Sequence, residues 1–441
     1  MSVIHDIQWN IDLLQQEVTA LTFSVNQFWQ FTNFYVLFIM GAGFAFLETG
    51  CVRYKSHARK NILLKNMWDT FVSGILFYFL TWGLAFGQGP NGFIGTDDFL
   101  IISSSNWANW LYQWVFANST ITIVSGAMAE RIHVIGYAIY TSFAAIIVYP
   151  VIAHWMWGPG GWLQTEVGQY GALDFAGGSV VHAQGGIMGF VGAWIIGPRI
   201  GRFTGVFDDC DITASSAPDQ VLGMWLLWMA WYPFNMGSTL AITGGWEIVA
   251  GHAGVATTIS ACICGLFSAI IGMLLRKGQI EVGDTVNGII AGLVAITPAC
   301  GFVPIWAAFP IGIIASLVWI SLSRLLQRLQ IDDPLDASPI HWGCGAWGMI
   351  AVGLFGDRQF ISFIKGVPYE EMEQWGAFMG GGGKLLGIQL LAVVVISLYA
   401  ATLIFFCFLF LKFAGLLRIS ETAEMSGLAP SSDAKEDREI A

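Results

Sequence analysis

Two histidines lie inside long apolar stretches, where a polar side chain is least expected. His182 follows Asp174 and a run of small residues, and His341 follows Asp336 in a second stretch of similar order. An ionisable side chain within a membrane-spanning segment is costly and marks a functional site. Two neutral imidazoles can share a proton and line a narrow path with alternating donor and acceptor nitrogens. A single buried histidine is more often a packing residue, so the argument depends on the pair.

Aromatic residues form a second group with possible chemistry. Phe116, Trp157, Trp231 and Phe234 lie in separate apolar segments, except that the last two share one. A cation binds favourably over an aromatic face, and the four-residue step from Phe234 to Ser238 places both on one side of a helix. These residues therefore predict an outer cation-binding site. Membrane anchoring is the competing interpretation for Trp157, because tryptophan is common where a span meets the interface.

Other site chemistries receive little support from the sequence. The seven cysteines are an odd number, and most fall in apolar runs, which indicates buried thiols. A metal held by the two histidines is the rival interpretation, but no third ligand stands at helical spacing. No nucleophile–base pair is recognisable. We expect no enzyme activity, no cofactor, no metal and no nucleic-acid partner.

The composition determines which elements must position these residues. Of 441 residues, 55% are hydrophobic and only 11% are charged, with a mean hydropathy of +0.64, whereas soluble domains are about 25% charged. The apolar runs are about 20 residues long, the length of a transmembrane helix. They do not alternate between polar and apolar residues, which excludes strands of a membrane barrel. The sequence predicts an all-α membrane protein.

Eleven transmembrane helices are predicted. His182 and His341 fall in the fifth and the tenth, which favours two inverted five-helix repeats with a site at their interface, followed by a long final helix. The predicted spans are 28–50, 61–87, 106–129, 134–157, 174–198, 219–243, 251–275, 285–303, 305–327, 338–356 and 385–413.

Basic residues indicate the orientation of the chain. They concentrate in alternate connections and in the C-terminal tail, and short cytoplasmic loops are enriched in Lys and Arg. The N-terminus is therefore predicted outside and the C-terminus in the cytoplasm. We divide the chain into an extracellular segment (1–27), a membrane domain (28–414) and a cytosolic tail (415–441). The basic residues that carry this prediction are Arg53, Lys55, Arg59, Lys60, Arg131, Arg199, Arg202, Arg276, Lys277, Arg324, Arg328, Arg418, Lys435 and Arg438.

Four stretches together resemble the ammonium transporter (Amt/Mep/Rh) family, on its Amt branch. Residues 126–131 read Gly-Ala-Met-Ala-Glu-Arg, residues 154–161 read His-Trp-Met-Trp-Gly-Pro-Gly-Gly, and residues 231–238 read Trp-Tyr-Pro-Phe-Asn-Met-Gly-Ser. Residues 174–182 match the signature of the family's fifth span, and His341 stands where its second pore histidine belongs. The resemblance covers about residues 28–428.

The resemblance implies a homotrimer in the plasma membrane, with one pore in each protomer. Ammonium, or its analogue methylammonium, is recruited by Trp157, Ser238, Phe116 and Trp231, with Asp174 organising the site. It passes a gate of Phe116 and Phe234 and is deprotonated. Ammonia then crosses a hydrophobic pore beside His182 and His341, with net proton transfer.

Two departures from the family pattern leave an alternative function open. Trp342 follows the second histidine, where the family usually has a small residue, so we include Trp342 among the pore residues. The tail begins like that of the family but continues Ala-Pro-Ser after Leu428. Its serines (Ser420, Ser426, Ser431 and Ser432) are candidate sites for a kinase, and a cytosolic regulatory protein is a candidate partner. The alternative is an ammonium sensor of the same fold that conducts little or nothing.

Overall fold

The computed structural model is built of helices and describes residues 2–53, 56–102, 106–204 and 214–426. Six residues named above fall outside these ranges: Lys55, Cys210, Ser431, Ser432, Lys435 and Arg438. No strand occurs within the described ranges. The α-helices are α1 Ser2–Leu37, α2 Met40–Cys51, α3 Ser56–Leu76, α4 Trp82–Phe86, α5 Trp107–Ala127, α6 Val134–Phe143, α7 Tyr149–Trp157, α8 Trp162–Thr165, α9 Gln184–Ile196, α10 Ala217–Met236, α11 Trp246–Leu275, α12 Val282–Ile296, α13 Ala308–Arg328, α14 Cys344–Phe355, α15 Arg358–Lys365, α16 Lys384–Phe413 and α17 Glu421–Ser426.

Each of the eleven predicted spans corresponds to one of these helices or to a continuous series of them. Seven helical segments are long and apolar enough to cross a membrane by length and composition. The remaining spans, built on α5, α10, α12 and α14, are shorter or carry polar side chains facing the interior. The all-α fold with two inverted repeats and the long final helix α16 is confirmed.

Turns of π-helix connect several α-helices within one span. Two of them, Gly178–Ala183 before α9 and Ser338–Gly343 before α14, occupy equivalent places in the fifth and tenth spans and carry the two histidines. π-Turns occur frequently at functional sites, because the extra residue displaces side chains from the regular helical positions.

Close helix contacts bring the two halves of the chain together. Helix α2 of the first half packs on α10 of the second at Gly43 and Gly223. A Cβ atom on Gly223 would overlap the backbone of Leu47. Small residues allow membrane helices to approach this closely, so the interface that bears the site is built on glycine contacts.

A buried ionic cluster joins the connections on the face opposite the aromatic site. The carboxylate of Glu130 accepts hydrogen bonds from Arg53 at 2.5 Å and from Arg199 at 2.6 Å. Arg199 also forms an ion pair with Asp332 at 2.8 Å. Burial opposes ionisation of both acids, but the neighbouring arginines outweigh it and hold the pKa values of Glu130 and Asp332 below their ordinary range. We call these four residues the Glu130 cluster.

The described part of the tail packs on this same cluster. Arg418 pairs with Glu424 at 2.8 Å, and Glu424 lies 3.8 Å from Arg53. The backbone of Ile419 donates to the carbonyl of Arg131 at 3.0 Å. The first part of the tail is therefore held against the face of its own protomer that we predict to be cytoplasmic.

Replacing Arg199 by alanine is expected to lower the free energy of unfolding by roughly 3–5 kcal/mol, because it leaves two buried carboxylates without their main partner. The measurement is the thermal midpoint in detergent. The matched control is Arg276→Ala. The side chain of Arg276 is 42% exposed in its ion pair with Asp284, and such a pair should contribute at most about 1 kcal/mol. Equal effects of the two changes would contradict this account.

The same cluster predicts how the stability of the folded protein changes with pH. The folded pKa values of Glu130 and Asp332 are lowered, so the unfolded chain binds more protons once the pH falls to the unfolded values of about 4. We expect the thermal midpoint to be insensitive to these two acids between pH 7 and about 5, then to fall below about pH 4. Arg199→Ala should flatten that acidic limb, and an unchanged limb would show that other acids cause it.

Candidate functional site

A column of four rings runs through the interface between the two halves. Phe116 from α5 stacks on Phe234 from α10, with ring centroids 4.2 Å apart and planes inclined by 26°. Phe234 lies 5.5 Å from His182, and His182 lies 5.2 Å from His341. All four side chains are buried. The two phenylalanine rings are in direct contact and stand at one end of the column.

The outer pocket forms on the far side of Phe116. Trp157 meets Phe116 edge-on at 5.8 Å, with planes inclined by 80°. The hydroxyl of Ser238 donates to the carbonyl of Phe234 at 2.7 Å, which leaves its oxygen lone pairs as acceptors. An aromatic ring and a hydroxyl oxygen are suitable partners for a small cation that carries hydrogen-bond donors.

Tyr112 is a member of this pocket that the sequence analysis missed. Its hydroxyl donates to the carbonyl of Pro233 at 2.7 Å and lies 3.5 Å from the hydroxyl of Ser238. Its ring lies 5.0 Å from that of Phe116. The sequence pattern that could have identified Tyr112 is its four-residue step to Phe116, which places both side chains on one face of α5.

Asp174 organises the backbone that carries His182. One carboxylate oxygen accepts from the amides of Gly177 and Gly178 at 2.8 and 2.7 Å. The other accepts from the amide and hydroxyl of Ser179 at 2.7 and 2.6 Å, and from the amide of Val180 at 3.2 Å. These amides begin the π-turn, where backbone donors have no helical partner.

Asp174 also connects to the outer pocket through its backbone. The indole N–H of Trp157 donates to the carbonyl of Asp174 at 3.0 Å. This bond fixes the orientation of the indole. One residue thus positions the ring of the outer pocket and the turn that carries the first histidine, with its carboxylate occupied by backbone donors.

The two histidines form a direct pair. Nδ1 of His182 lies 3.2 Å from Nδ1 of His341, and the rings are inclined by 27°. A hydrogen bond between two ring nitrogens requires one donor and one acceptor, so one ring must present an unprotonated Nδ1. Nε2 of His182 is buried and has no hydrogen-bond partner among the described residues, so a small molecule beside the ring could bind to it.

Trp231 lies beside His182, deeper than the outer recruitment site in which we predicted it. Its ring stacks on His182 at 5.1 Å with planes inclined by only 16°, and it is fully buried. Its N–H donates to Thr297 at 2.8 Å. Helical geometry explains the difference, because Trp231 and Phe234 are three residues apart and Trp231 stands nearly one turn deeper on the same face.

Trp342, which we predicted among the pore residues, points towards the final helix. Its indole N–H donates to Ser397 of α16 at 3.2 Å, and its ring lies 5.9 Å from Phe190. Adjacent residues in a helix project in different directions. His341 therefore faces the passage while Trp342 fills the contact with the final helix.

Replacing Trp342 by leucine is expected to leave methylammonium uptake within about threefold of the unmodified protein, because the lost contacts, with Ser397 and Phe190, lie outside the column of rings. Trp231→Leu is the matched change, since it removes the same indole from the surface that stacks on His182. We expect uptake per folded molecule to fall by at least about tenfold, because displacement of a positioned site residue commonly lowers the rate by this much or more. A larger effect at Trp342 than at Trp231 would contradict these assignments.

Asp333, not Asp336, is the structural counterpart of Asp174. Its carboxylate accepts from the amides of Ala337 and Ser338 at 3.0 and 2.7 Å, at the start of the second π-turn. It stands eight residues before His341, as Asp174 stands eight before His182. Asp336 instead accepts from Ser323 at 2.6 Å. Equal spacing from the histidines was the signal that would have identified the correct acid.

A small cavity lies beyond His341, on the side away from the phenylalanines. Its volume is about 20 Å³, room for one water molecule. Among its lining residues are His341, Asn287, Thr122 and Glu48. One carboxylate oxygen of Glu48 accepts a hydrogen bond from Ser125 at 2.8 Å, while the other is buried and has no partner within the described part of the chain. Glu48 was not among the residues predicted from the sequence.

Fold and site together define a multi-pass membrane protein in which two stacked phenylalanines and two paired histidines form one column between two inverted halves. A sequence profile described as the Ammonium Transporter Family matches residues 27–435. The chain belongs to this family, on its Amt branch.

Relatives and solved structures agree with this assignment. "Putative ammonium transporter 1 member 5" of Arabidopsis thaliana is 41% identical over 400 residues, covering 87% of this chain and 79% of that protein. The structure of "Sensor Amt Protein" superposes with a TM-score of 0.83 at 31% identity, covering 94% of this chain and 100% of that one. The structure of Saccharomyces cerevisiae Mep2 gives 0.80 at 29% identity, covering 90% and 88%.

Proposed function

We propose that this chain transports ammonium by recruiting the cation outside, removing a proton and conducting ammonia past the paired histidines, with net proton transfer. The observation that carries the proposal is the column of rings from Phe116 to His341, which continues from the outer pocket of Trp157 and Ser238.

Selectivity follows from the chemistry of the column. A potassium ion cannot donate hydrogen bonds to Ser238 or to Nε2 of His182, whereas ammonium and ammonia can. The stacked phenylalanines form a dry constriction, where a hydrated ion would have to shed its water without replacement. The proton left behind has an adjacent acceptor in the His182–His341 pair, and the cavity that reaches Glu48 adjoins it.

The same proposal includes assembly and location. Three copies would form a homotrimer in the plasma membrane, each with its own passage, with the N-terminus outside and the tail in the cytoplasm. The distribution of basic residues supports the orientation. Glu424 links the tail to the Glu130 cluster. A cytosolic regulatory protein or a kinase that acts on the tail would therefore act on a segment in contact with that cluster.

The test uses the purified chain in liposomes on a solid-supported membrane, pulsed with ammonium and then with potassium. We expect a transient current with ammonium, smaller currents with methylammonium and none with potassium. An interior pH indicator separates two mechanisms, because transfer of ammonia alone raises the interior pH without current. Equal currents with potassium and ammonium would overturn the proposal.

An ammonium sensor is the second candidate function, favoured by one specific observation. The chain matches "Sensor Amt Protein" over 100% of that chain, with a TM-score of 0.83. A sensor would bind ammonium without conducting it. Binding measured by a change in tryptophan fluorescence, together with neither current nor interior alkalinisation, would establish the sensor and exclude the transporter.

A further inference from the structure

The N-terminal half of α1 projects from the helix bundle as an uncovered helix. Helix α1 is continuous from Ser2 to Leu37, about 54 Å at 1.5 Å per residue. Every residue from 5 to 25 is exposed, whereas Gln30, Asn33 and Leu37 are buried against the bundle. The helix is longer than the hydrocarbon core of about 30 Å, so its first part extends outside the membrane in line with the first span.

Apolar side chains follow this helix at alternating steps of four and three residues. Large hydrophobic residues repeat in this register over three heptads, and all of them are exposed. They are Ile7 (54%), Ile11 (42%), Leu14 (60%), Val18 (62%), Leu21 (65%), Val25 (36%) and Phe28 (72%). Alternation of three and four is the heptad pattern of a coiled coil, in which these positions form the seam between helices.

The flanking positions distinguish this helix from one that lies on a membrane surface. Interfacial helices carry Lys and Arg on their polar face, but residues 1–27 contain neither, and their charges are Asp6, Asp12 and Glu17. The positions beside the seam are mostly uncharged, including Gln8, Asn10, Gln15, Thr22 and Ser24. Identical copies can therefore approach with little like-charge repulsion.

We propose that residues 7–28 form a parallel three-stranded coiled coil with the same segments of two further copies of this chain. Copies inserted in one membrane in the same orientation have parallel N-terminal helices. The seam pairs Ile11 with Leu14 and Val18 with Leu21, combinations that favour two strands in isolated coiled coils. The number three rests on the homotrimer included in the proposed function.

The exposed face continues beyond the projecting part. One heptad after Val25 and Phe28 stand Thr32 and Tyr35, which are also exposed although they lie within the first span. The seam thus continues without a break into the membrane-embedded part of α1. In the proposed trimer, the same face of α1 would meet its counterparts both within the membrane and outside it.

Cysteine cross-linking of the full-length protein in liposomes tests this arrangement. Leu14→Cys and Leu21→Cys place thiols at seam positions, and Gln16→Cys, on the opposite face, is the matched control. We expect disulfide-linked pairs of protomers at 14 and 21, with a yield at least about tenfold above that at 16, because only seam residues meet their counterparts. Similar yields at all three positions would overturn the proposal.

Native mass spectrometry separates this proposal from that of the homotrimer. The unmodified protein should be trimeric. The double variant Leu14→Asp/Leu21→Asp should dissociate at a lower detergent concentration or a lower temperature than Gln16→Asp, and it should keep its ammonium currents. A trimer without enhanced cross-linking at 14 and 21 would refute the coiled coil alone. A dimer with cross-linking would refute three strands and the homotrimer together.

Discussion

Replacing Asp174 by alanine is expected to lower methylammonium uptake per folded molecule by about a hundredfold, because a shift of about 1 Å in a positioned group has effects of this size. The carboxylate accepts five hydrogen bonds from the segment between Gly177 and Val180. Without it, the first turn loses the acceptor that shapes it. His182 and the indole of Trp157 would both move.

The change should also lower stability. Hydrogen bonds to a charged group contribute about 1.5–3 kcal/mol each, and a buried donor left unsatisfied costs about 1–3 kcal/mol. Asp174→Asn is informative, because it keeps one acceptor oxygen but turns an NH₂ group towards the same amides. We expect asparagine to recover folding more than transport.

A matched control separates helix capping from transport. Asp357 caps α15 by accepting from the amides of Gln359 and Phe360 at 2.8 and 3.3 Å, outside the passage. Asp357→Ala should reduce the thermal midpoint slightly and leave uptake within about twofold, since loss of a cap costs about 1 kcal/mol. If Asp174→Ala retains full uptake in correctly folded protein, Asp174 does not organise the site.

Replacing His182 by leucine is the second change with a large expected effect. The passage then loses both the Nδ1–Nδ1 hydrogen bond and the free Nε2 of His182. Placing a polar group in an apolar environment without a hydrogen bond costs at least about 2 kcal/mol, equivalent to roughly thirtyfold in rate at about 1.4 kcal/mol per tenfold. We expect uptake and ammonium current to fall by at least this factor.

Comparison of the two histidines tests the pair as a unit. His341→Leu should have a similar effect, and the double variant should lose less than the product of the two single losses, because each single change already breaks the shared bond. His252→Gln is the control, since His252 bonds the carbonyl of Cys300 at 3.1 Å on another helix. Strictly multiplicative losses at 182 and 341 would show that the histidines act independently.

The membrane architecture of this protein followed from sequence because the bilayer leaves few alternatives. Backbone polar groups in lipid must be satisfied internally, so long apolar runs with 11% charged residues overall predict spanning helices directly. The polar residues were identifiable for the same reason. His182 and His341 stood out against an apolar background, and Asp174 preceded the first of them.

Directions of side chains within the spans required the tertiary structure. Trp231 and Trp342 both neighbour functional residues in sequence, yet Trp231 stacks on His182 while Trp342 binds Ser397 on the opposite side of its helix. The π-turns before α9 and α14 shift the helical register by one residue. Sequence periodicity alone cannot locate such a shift.

Sequence by itself determined the membrane class, the number of spans, the family and most of the residue types at the passage, because burial in lipid and short motifs act locally along the chain. Only the tertiary structure decided which acid supports His341, where Trp231 and Trp342 point, and that Tyr112 and Glu48 belong near the passage. These facts depend on contacts between helices distant in sequence. Their geometry is set by packing of the two halves, which no single segment encodes.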